Sequence, residues 1–440
     1  VVLLHTNSDL RDLEVTGAAD AKEIQDMVQE RVAAVPELSV GARAGGASTV
    51  VALVSLAHSM SHAYGALLPL IVPFFLSDLH LTYTQIGLMF SISSLVWSPL
   101  QLGFGVLGHY CSRRLLLGIS HLCQGATVIG TGFVTSFADL LFWRITSRVA
   151  DAPQHPIGNS LISQSLGPER RGLALAINAA GSNLGTVAVP LIGGFLIASF
   201  GWRSTLVLFG SLGMIIGSLL VWLLKDHRQD RRTGQSVGQL GAEVWALLQH
   251  RDALLLLAAH VLGAGGRGLG VATVYIPLYL SQALQVDKVR LGMLITVMMA
   301  GSVIGPLLAG PLSDRMGRKP VLLADYALAC ACYVGLLFVG LSPWTLLGVL
   351  VITGIAVYSE GAIMQTALAD VADKTSMEML FGLYFTIGAA IGAPWAVLLG
   401  MLVDGYGFPI AFSVMAGSQV LAGLCVLPVR LRHVRHAVSA

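Results

Sequence analysis

The chain has 440 residues, of which 55% are hydrophobic and only 11% are Asp, Glu, Lys or Arg. A water-soluble domain carries about 25% charged residues, and a mean hydropathy of +0.75 leaves too little polar surface to cover a globule. An ordinary soluble enzyme, a secreted disulfide scaffold and a nucleic-acid binder are excluded. The net charge of +2 is unevenly laid out: residues 1–50 hold eight acids against four bases, a net of −4, so the remainder is +6. Five cysteines (Cys111, Cys123, Cys330, Cys332, Cys425) lie in apolar stretches without metal-ligand or disulfide spacing.

In chain order, residues 1–49 are expected to form a disordered acidic tail, with at most a short amphipathic helix near Ile24, Met27, Val28 and Val32. Twelve apolar stretches follow, at 50–76, 84–108, 114–134, 138–163, 172–198, 204–224, 253–280, 290–312, 320–340, 343–369, 379–402 and 408–428. Each approaches the roughly 20 residues that a span needs. Backbone in lipid must satisfy its own hydrogen bonds, so each should be helical. The expected fold class is an all-α polytopic membrane protein of twelve transmembrane helices in two six-helix bundles. These bundles occupy 50–224 and 251–430, joined by a polar linker at 225–250 and followed by a basic tail at 431–440.

Lys and Arg fall on alternate connections, sixteen on one side against three (Arg203, Lys288, Arg290) on the other, leaving out the first 50 residues. The positive-inside rule then places the basic loops and both termini in the cytoplasm of a bacterial-type inner membrane. The halves also repeat, with an offset near 205 residues: Gly87-Leu-Met matches Gly292-Met-Leu, and Arg113-Arg114 matches Arg318-Lys319. Apolar composition alone would not align helix ends, turns and loop charges, so this is a structural repeat. Repeated bundles suit a transporter whose substrate site lies between them near the midplane.

Gly310-Pro-Leu-Ser-Asp314-Arg315-Met-Gly317-Arg318-Lys319 resembles the signature loop of the major facilitator superfamily, between the eighth and ninth helices. Its counterpart from Gly105 to Leu117 keeps Arg113 and Arg114 but has His109 where the family has Asp. Leu140-Leu-Phe-Trp-Arg144 looks like the motif that opens the fourth helix, and Gly185 to Gly194 looks like the antiporter motif of the fifth. Within the superfamily, Ser55-Leu-Ala-His58, Leu81-Thr-Tyr-Thr-Gln85-Ile-Gly87 and His155-Pro156 resemble the fosmidomycin-resistance-like branch. The resemblance implies an efflux-type secondary transporter. It also implies a conformational latch of Gly310, Asp314, Arg315, Gly317, Arg318 and Arg113, with Asp314 near the start of the eleventh helix and Arg318 reaching Asp370 or Asp373. Gly181, Gly185, Gly193, Gly194, Gly388 and Gly392 are expected to pack the two bundles tightly together.

Charges inside the bilayer are costly and therefore functional candidates. In the fourth span Arg144, Arg148, Asp151, His155 and Asn159 fall within about 80° of one helix face at 100° per residue. That stripe must face a cavity or a neighbouring helix; Arg148 and Asp151 could instead simply pair. Pro153 and Pro156 should break the helix beside it. His58 and His62 are one turn apart and suit substrate bonding, proton titration or hydrogen bonds across helices. With no third ligand evident locally, no metal site and no cofactor are expected. Arg267, among five glycines, is either an anion contact or a structural partner for Glu360 or Asp151. Glu360 falls opposite His155 by the repeat offset, and it and Asp151 are the proton-carrying candidates, since burial favours a neutral carboxyl. A permanent ion pair with an arginine is the alternative for both.

Arg144, Arg148 and Arg267 against Asp151 and Glu360 sum to +1, which an anionic or zwitterionic substrate would balance. The expectation is a monomeric, proton-coupled exporter of a small organic anion, and not an enzyme. The rivals are an importer of a carboxylate with the same fold, and a ligand-binding membrane sensor that signals through the acidic tail.

Overall fold

The computed structural model describes residues 40–108, 110–224, 249–340, 342–371 and 377–431. The linker at 225–248, most of the acidic tail, the end of the basic tail, His109 and Asp373 lie outside the described residues. In chain order the helices are α1 (Val40–Asp78), α2 (Tyr83–Leu107), α3 (Arg113–Thr131) and α4, in two arms (Phe137–Asp151 and Gln154–Ser165). The helical stretch Pro168–Leu223 holds α5 and α6, which meet at Gly201 (φ +79°), a backbone angle that glycine adopts without strain. The second half comprises α7 (Arg251–Ala283), α8 (Lys288–Met316), α9 (Arg318–Leu336), α10 (Pro343–Val371), α11 (Met377–Tyr406) and α12 (Phe408–Val426). These twelve helices coincide with the twelve apolar stretches of the sequence and form two six-helix bundles.

Local chemistry fixes the helix ends. Thr82 and Gln85 form a capping box at the start of α2, Ser136 caps α4, and Asp287 accepts the Val289 and Arg290 amides at the start of α8. Gly317 (φ +96°) and Gly407 (φ +79°) let the chain turn sharply from α8 into α9 and from α11 into α12.

Among the described residues, nine helices are long and apolar enough to cross a bilayer, with α5 and α6 counted as one. The α3 helix and the two arms of α4 fall short, for a reason that bears on function. Their polar residues face each other: His121 of α3 donates to Gln154 at 2.7 Å, and Gln124 donates to Asp151 at 2.9 Å.

The halves meet where α2 begins and α11 ends, and where α5 ends and α8 begins. A Cβ on Gly87 would stand 2.3 Å from the Ala396 carbonyl oxygen, and one on Gly292 would stand 2.6 Å from that of Pro190. The two glycines matched by the sequence repeat are thus the points where each half touches the other. Asp404 of α11 caps α2 across this seam, accepting from the Tyr83 amide (3.0 Å), the Thr84 amide (2.8 Å) and the Thr84 hydroxyl (2.6 Å). Of the six glycines expected to pack the bundles together, Gly194 lies at the seam, against Gly292. Gly181 and Gly185 press α5 onto α1 at Ser55 and Ser59, and Gly193 meets Leu67. Gly388 and Gly392 press α11 onto α7 at His260 and Ala264. These five therefore serve packing inside each half, because the closest partner of each is a helix of its own bundle.

Candidate functional site

In the first half the stripe on α4 meets α1, α2 and α3. The helix breaks at Ala152 and Pro153 as the two prolines dictate, which separates Asp151, at the end of one arm, from His155, at the start of the next. Asp151 is buried and collects Arg148 Nη1 (3.3 Å), Gln124 Nε2 (2.9 Å) and the Ser61 hydroxyl. The Arg148 side chain remains 25% exposed, with its guanidinium 5.3 Å from the centre of the Trp97 ring. Arg144 is buried rather than drawn to a helix end, 5.9 Å from the Phe90 ring, and has no acidic partner among the described residues. Its Nε makes no hydrogen bond. Asn159 accepts from Asn178 of α5 at 3.0 Å.

The break in α4 brings His155 to the pair on α1. Ring centroids stand 4.8 Å apart for His58 and His62, 5.0 Å for His58 and His155, and 6.2 Å for His62 and His155. The third histidine missing from the local sequence thus comes from another helix, and His155 faces α1 rather than Glu360.

In the second half α7 loses its α-helical course at a turn over Gly263–Gly266, then an extended Arg267 (φ −78°, ψ 143°). The carbonyls freed there are taken up by neighbouring helices: Gln419 donates to Gly263 (2.9 Å), Tyr333 to Gly266 (2.5 Å) and Trp395 to Val261 (3.1 Å). Arg267 donates through Nε to Glu360 at 3.0 Å and through Nη2 to the His260 carbonyl. The Tyr326 hydroxyl donates to Glu360 at 3.2 Å, and His260 Nδ1 lies 3.7 Å from the same carboxylate. Of the two roles open to Arg267, the geometry is that of the structural partner of Glu360, and the expected opposition of Glu360 and His155 is replaced by this cluster within one half.

Asp325 of α9 is buried too, so the described spans hold three acids against Arg144, Arg148 and Arg267, and the formal charges, with every carboxyl counted as ionised, sum to zero rather than +1. The excess is local: +1 in the first half, −1 in the second.

In the signature loop, Arg318 contacts Asp314 and reaches Asp370 at 3.3 Å, while Ser313 accepts from it at 2.6 Å. Arg315 is exposed, Gly317 makes the turn, and a Cβ on Gly310 would meet open space. Arg113 donates to the Gly108 carbonyl at 3.2 Å. The contacts of Arg318 thus join α8, α9 and α10 of one half; the chain that leads into α11 lies outside the described residues.

The family model of the Major Facilitator Superfamily matches residues 51–393 and 256–439. The chain belongs to this superfamily. Among curated relatives of this facilitator, the hexuronate transporter of Bacillus subtilis (strain 168) is 24% identical over 398 residues, covering 86% of this chain and 93% of the relative. The fosmidomycin resistance protein of Escherichia coli (strain K12) is 23% identical over 407 residues, covering 87% and 93%. The crystal structure of the nucleoside transporter NupG superposes with a TM-score of 0.73 at 14% identity, covering 86% of this chain and 98% of that one. The facilitator is therefore an integral membrane transporter of the twelve-helix fold, not an enzyme.

Reasoning from the sequence misses several members of the facilitator's two clusters. Ser61, Gln124, His260, Asp325 and Tyr326 carry no motif. A usable signal was their rarity: His260 and Asp325 are ionisable residues inside apolar spans.

Proposed function

We propose that the protein moves a small organic anion or zwitterion across a bacterial-type inner membrane by alternating access, coupled to protons through Asp151 and Glu360. Arg144 carries this reading. A buried guanidinium on the α4 stripe without an acidic partner among the described residues is costly, and a carboxylate or similar anion would offset that cost with charge-assisted hydrogen bonds. The partly exposed Arg148 one turn away supplies a second cation. A relative named for hexuronates, which are carboxylates, supports the same substrate class.

Both carboxylates are ion-paired with an arginine in this state, the rival to proton carrying, so the coupling reading requires the pairs to open during the cycle. When an incoming anion draws an arginine away, the carboxylate left behind loses its counter-charge in a low-dielectric setting, and taking up a proton neutralises it. Anion and proton would then travel together, which favours co-transport. The antiporter-like glycines of α5 support the opposite reading, export in exchange for protons. On this reading, with the basic loops in the cytoplasm, the seam at the start of α2 and the end of α11 is the closure of the outer side.

Flux of a labelled hexuronate into proteoliposomes under pH gradients of either sign tests both. Gradient-driven flux is expected in the parent protein and is expected to lose its gradient dependence in Asp151→Asn or Glu360→Gln. Unchanged dependence in both variants would remove the coupling assignment. The sensor reading predicts that deletion of residues 1–45 abolishes output; full transport without them removes it.

A further inference from the structure

We infer that His58, His62 and His155 form a binding site for a divalent transition-metal ion of the zinc class, built between α1 and the break in α4. One ring nitrogen from each histidine lies within 4.8 Å of the others. Around a tetrahedral zinc with Zn–N bonds of about 2.0–2.1 Å, donor atoms stand roughly 3.4 Å apart. Closing the difference takes side-chain rotation and a small shift of His155. That residue sits at the start of the second arm of α4, next to the Pro153 break, where helical hydrogen bonds do not hold it to the first arm.

Two observations point to a ligand rather than to a packed aromatic cluster. His58 is buried with 6% of its surface exposed; Asn178 of α5 lies beside its ring, and neither ring nitrogen makes a well-formed hydrogen bond. The adjacent Asn178 amide donates to Asn159 instead. A buried imidazole without a well-formed hydrogen bond is costly, and a metal would take up its lone pair.

The second observation fixes a tautomer. Thr186 directs its hydroxyl proton to the Ser182 carbonyl at 3.1 Å, so its oxygen is left to accept from His62 Nδ1 at 3.1 Å. The lone pair of His62 therefore lies on Nε2, as in metal sites where a supporting hydrogen bond orients the ligating ring. Three protein ligands leave a tetrahedral ion one vertex for water or an anionic oxygen. A bound dication would then add to the positive charge of the first half. The binding itself does not rest on the transport reading.

The test uses the full-length protein in detergent, without a histidine tag, and the metal alone. Titration with Co²⁺ should give the intense visible absorption of a tetrahedral ion at one equivalent, displaced by Zn²⁺ and measured against a chromophoric chelator. His58→Ala, His62→Ala and His155→Ala should each weaken Zn²⁺ binding by at least about 100-fold, more than loss of a supporting contact costs. Thr186→Val, which keeps all three ligands, should weaken it about tenfold, whereas the exposed His250→Ala should not change it. Absence of the tetrahedral cobalt spectrum in the parent protein overturns the assignment, whatever the variants do. So does a spectrum that survives in all three histidine variants.

Discussion

The two halves solve the same electrostatic problem differently. In the second half Glu360 is enclosed: Arg267, Tyr326 and His260 surround it, and the broken backbone of α7 is hydrogen-bonded by side chains from three other helices. In the first half the corresponding pair is looser, with Arg148 a quarter exposed, Arg144 in no ion pair among the described residues and His58 without a well-formed hydrogen bond. A closed network stabilises a state; an open one leaves atoms for a ligand. The repeat built both halves on one plan, and each keeps a buried histidine whose ring nitrogens lack a well-formed hydrogen bond: His260 stands beside the Glu360 carboxylate, His58 beside two other histidines.

The largest test of that contrast is removal of each acid. Glu360→Ala strands Arg267, whose side chain is only 14% exposed, and should cost about 3–5 kcal/mol, the usual consequence of breaking a buried pair from one side. Asp151→Ala should cost clearly less, because Arg148 can turn toward its exposed side. Thermal unfolding in detergent reads both, and equal losses would erase the distinction between enclosed and open clusters.

Glycine substitutions come next. Gly185→Ala puts a methyl 2.2 Å from the Ser59 carbonyl oxygen inside the first half, and Gly87→Ala puts one 2.3 Å from the Ala396 oxygen across the seam. Overpacking of this kind costs about 1–3 kcal/mol. For Gly185 the cost should appear as lower stability in every conformation. For Gly87 it should appear as a population shift away from the state closed at this end, read by alkylation of a cysteine placed beside the seam. A fall in stability without any shift for Gly87→Ala would mean that the seam does not open.

The twelve helices, the break in α4 and the repeat glycines Gly87 and Gly292 were legible because each is written in local spacing: apolar runs, paired prolines, matched offsets. Partners across helices were not. The 3.6-residue period places Arg148 and Asp151 on one face, but nothing in it says that Ser61 and Gln124 complete the site, or that Glu360 meets Tyr326. Asp325, a lone acid on an apolar helix, belongs to no motif, and it balances the formal charge that the motif residues leave at +1. Five of the six packing glycines sit inside a half rather than at the seam, where Gly194 alone of them lies, because their spacing shows that something approaches closely, not which helix does.

Asp404 is a seam contact of that unwritten kind. Asp404→Ala removes the cross-seam acceptor of the Tyr83 and Thr84 amides while the Thr82–Gln85 box remains, and should cost about 0.5–2 kcal/mol, confined to the state closed at this end. Cysteine accessibility near Tyr83 should rise while thermal stability changes little. A variant with unchanged accessibility would show that the glycine contacts alone hold the seam.

The smallest expected effect on stability is the most telling for function. Arg144→Gln removes a buried charge that has no acidic partner among the described residues, so no carboxylate is stranded, and the cost of holding the charge is removed with it. Thermal stability should stay within about 1 kcal/mol of the parent protein, or rise, since single substitutions exceed that mainly when they strand a charge or open a cavity. Arg267→Gln, by contrast, leaves Glu360 without its counter-charge and should behave like the disruptive variants above. If Arg144 is retained for an anion, its loss should abolish anion-dependent thermal stabilisation, because a ligand that no longer binds the native state cannot stabilise it. A marked fall in stability on Arg144→Gln would make this arginine structural, and the two halves would then differ in exposure but not in purpose.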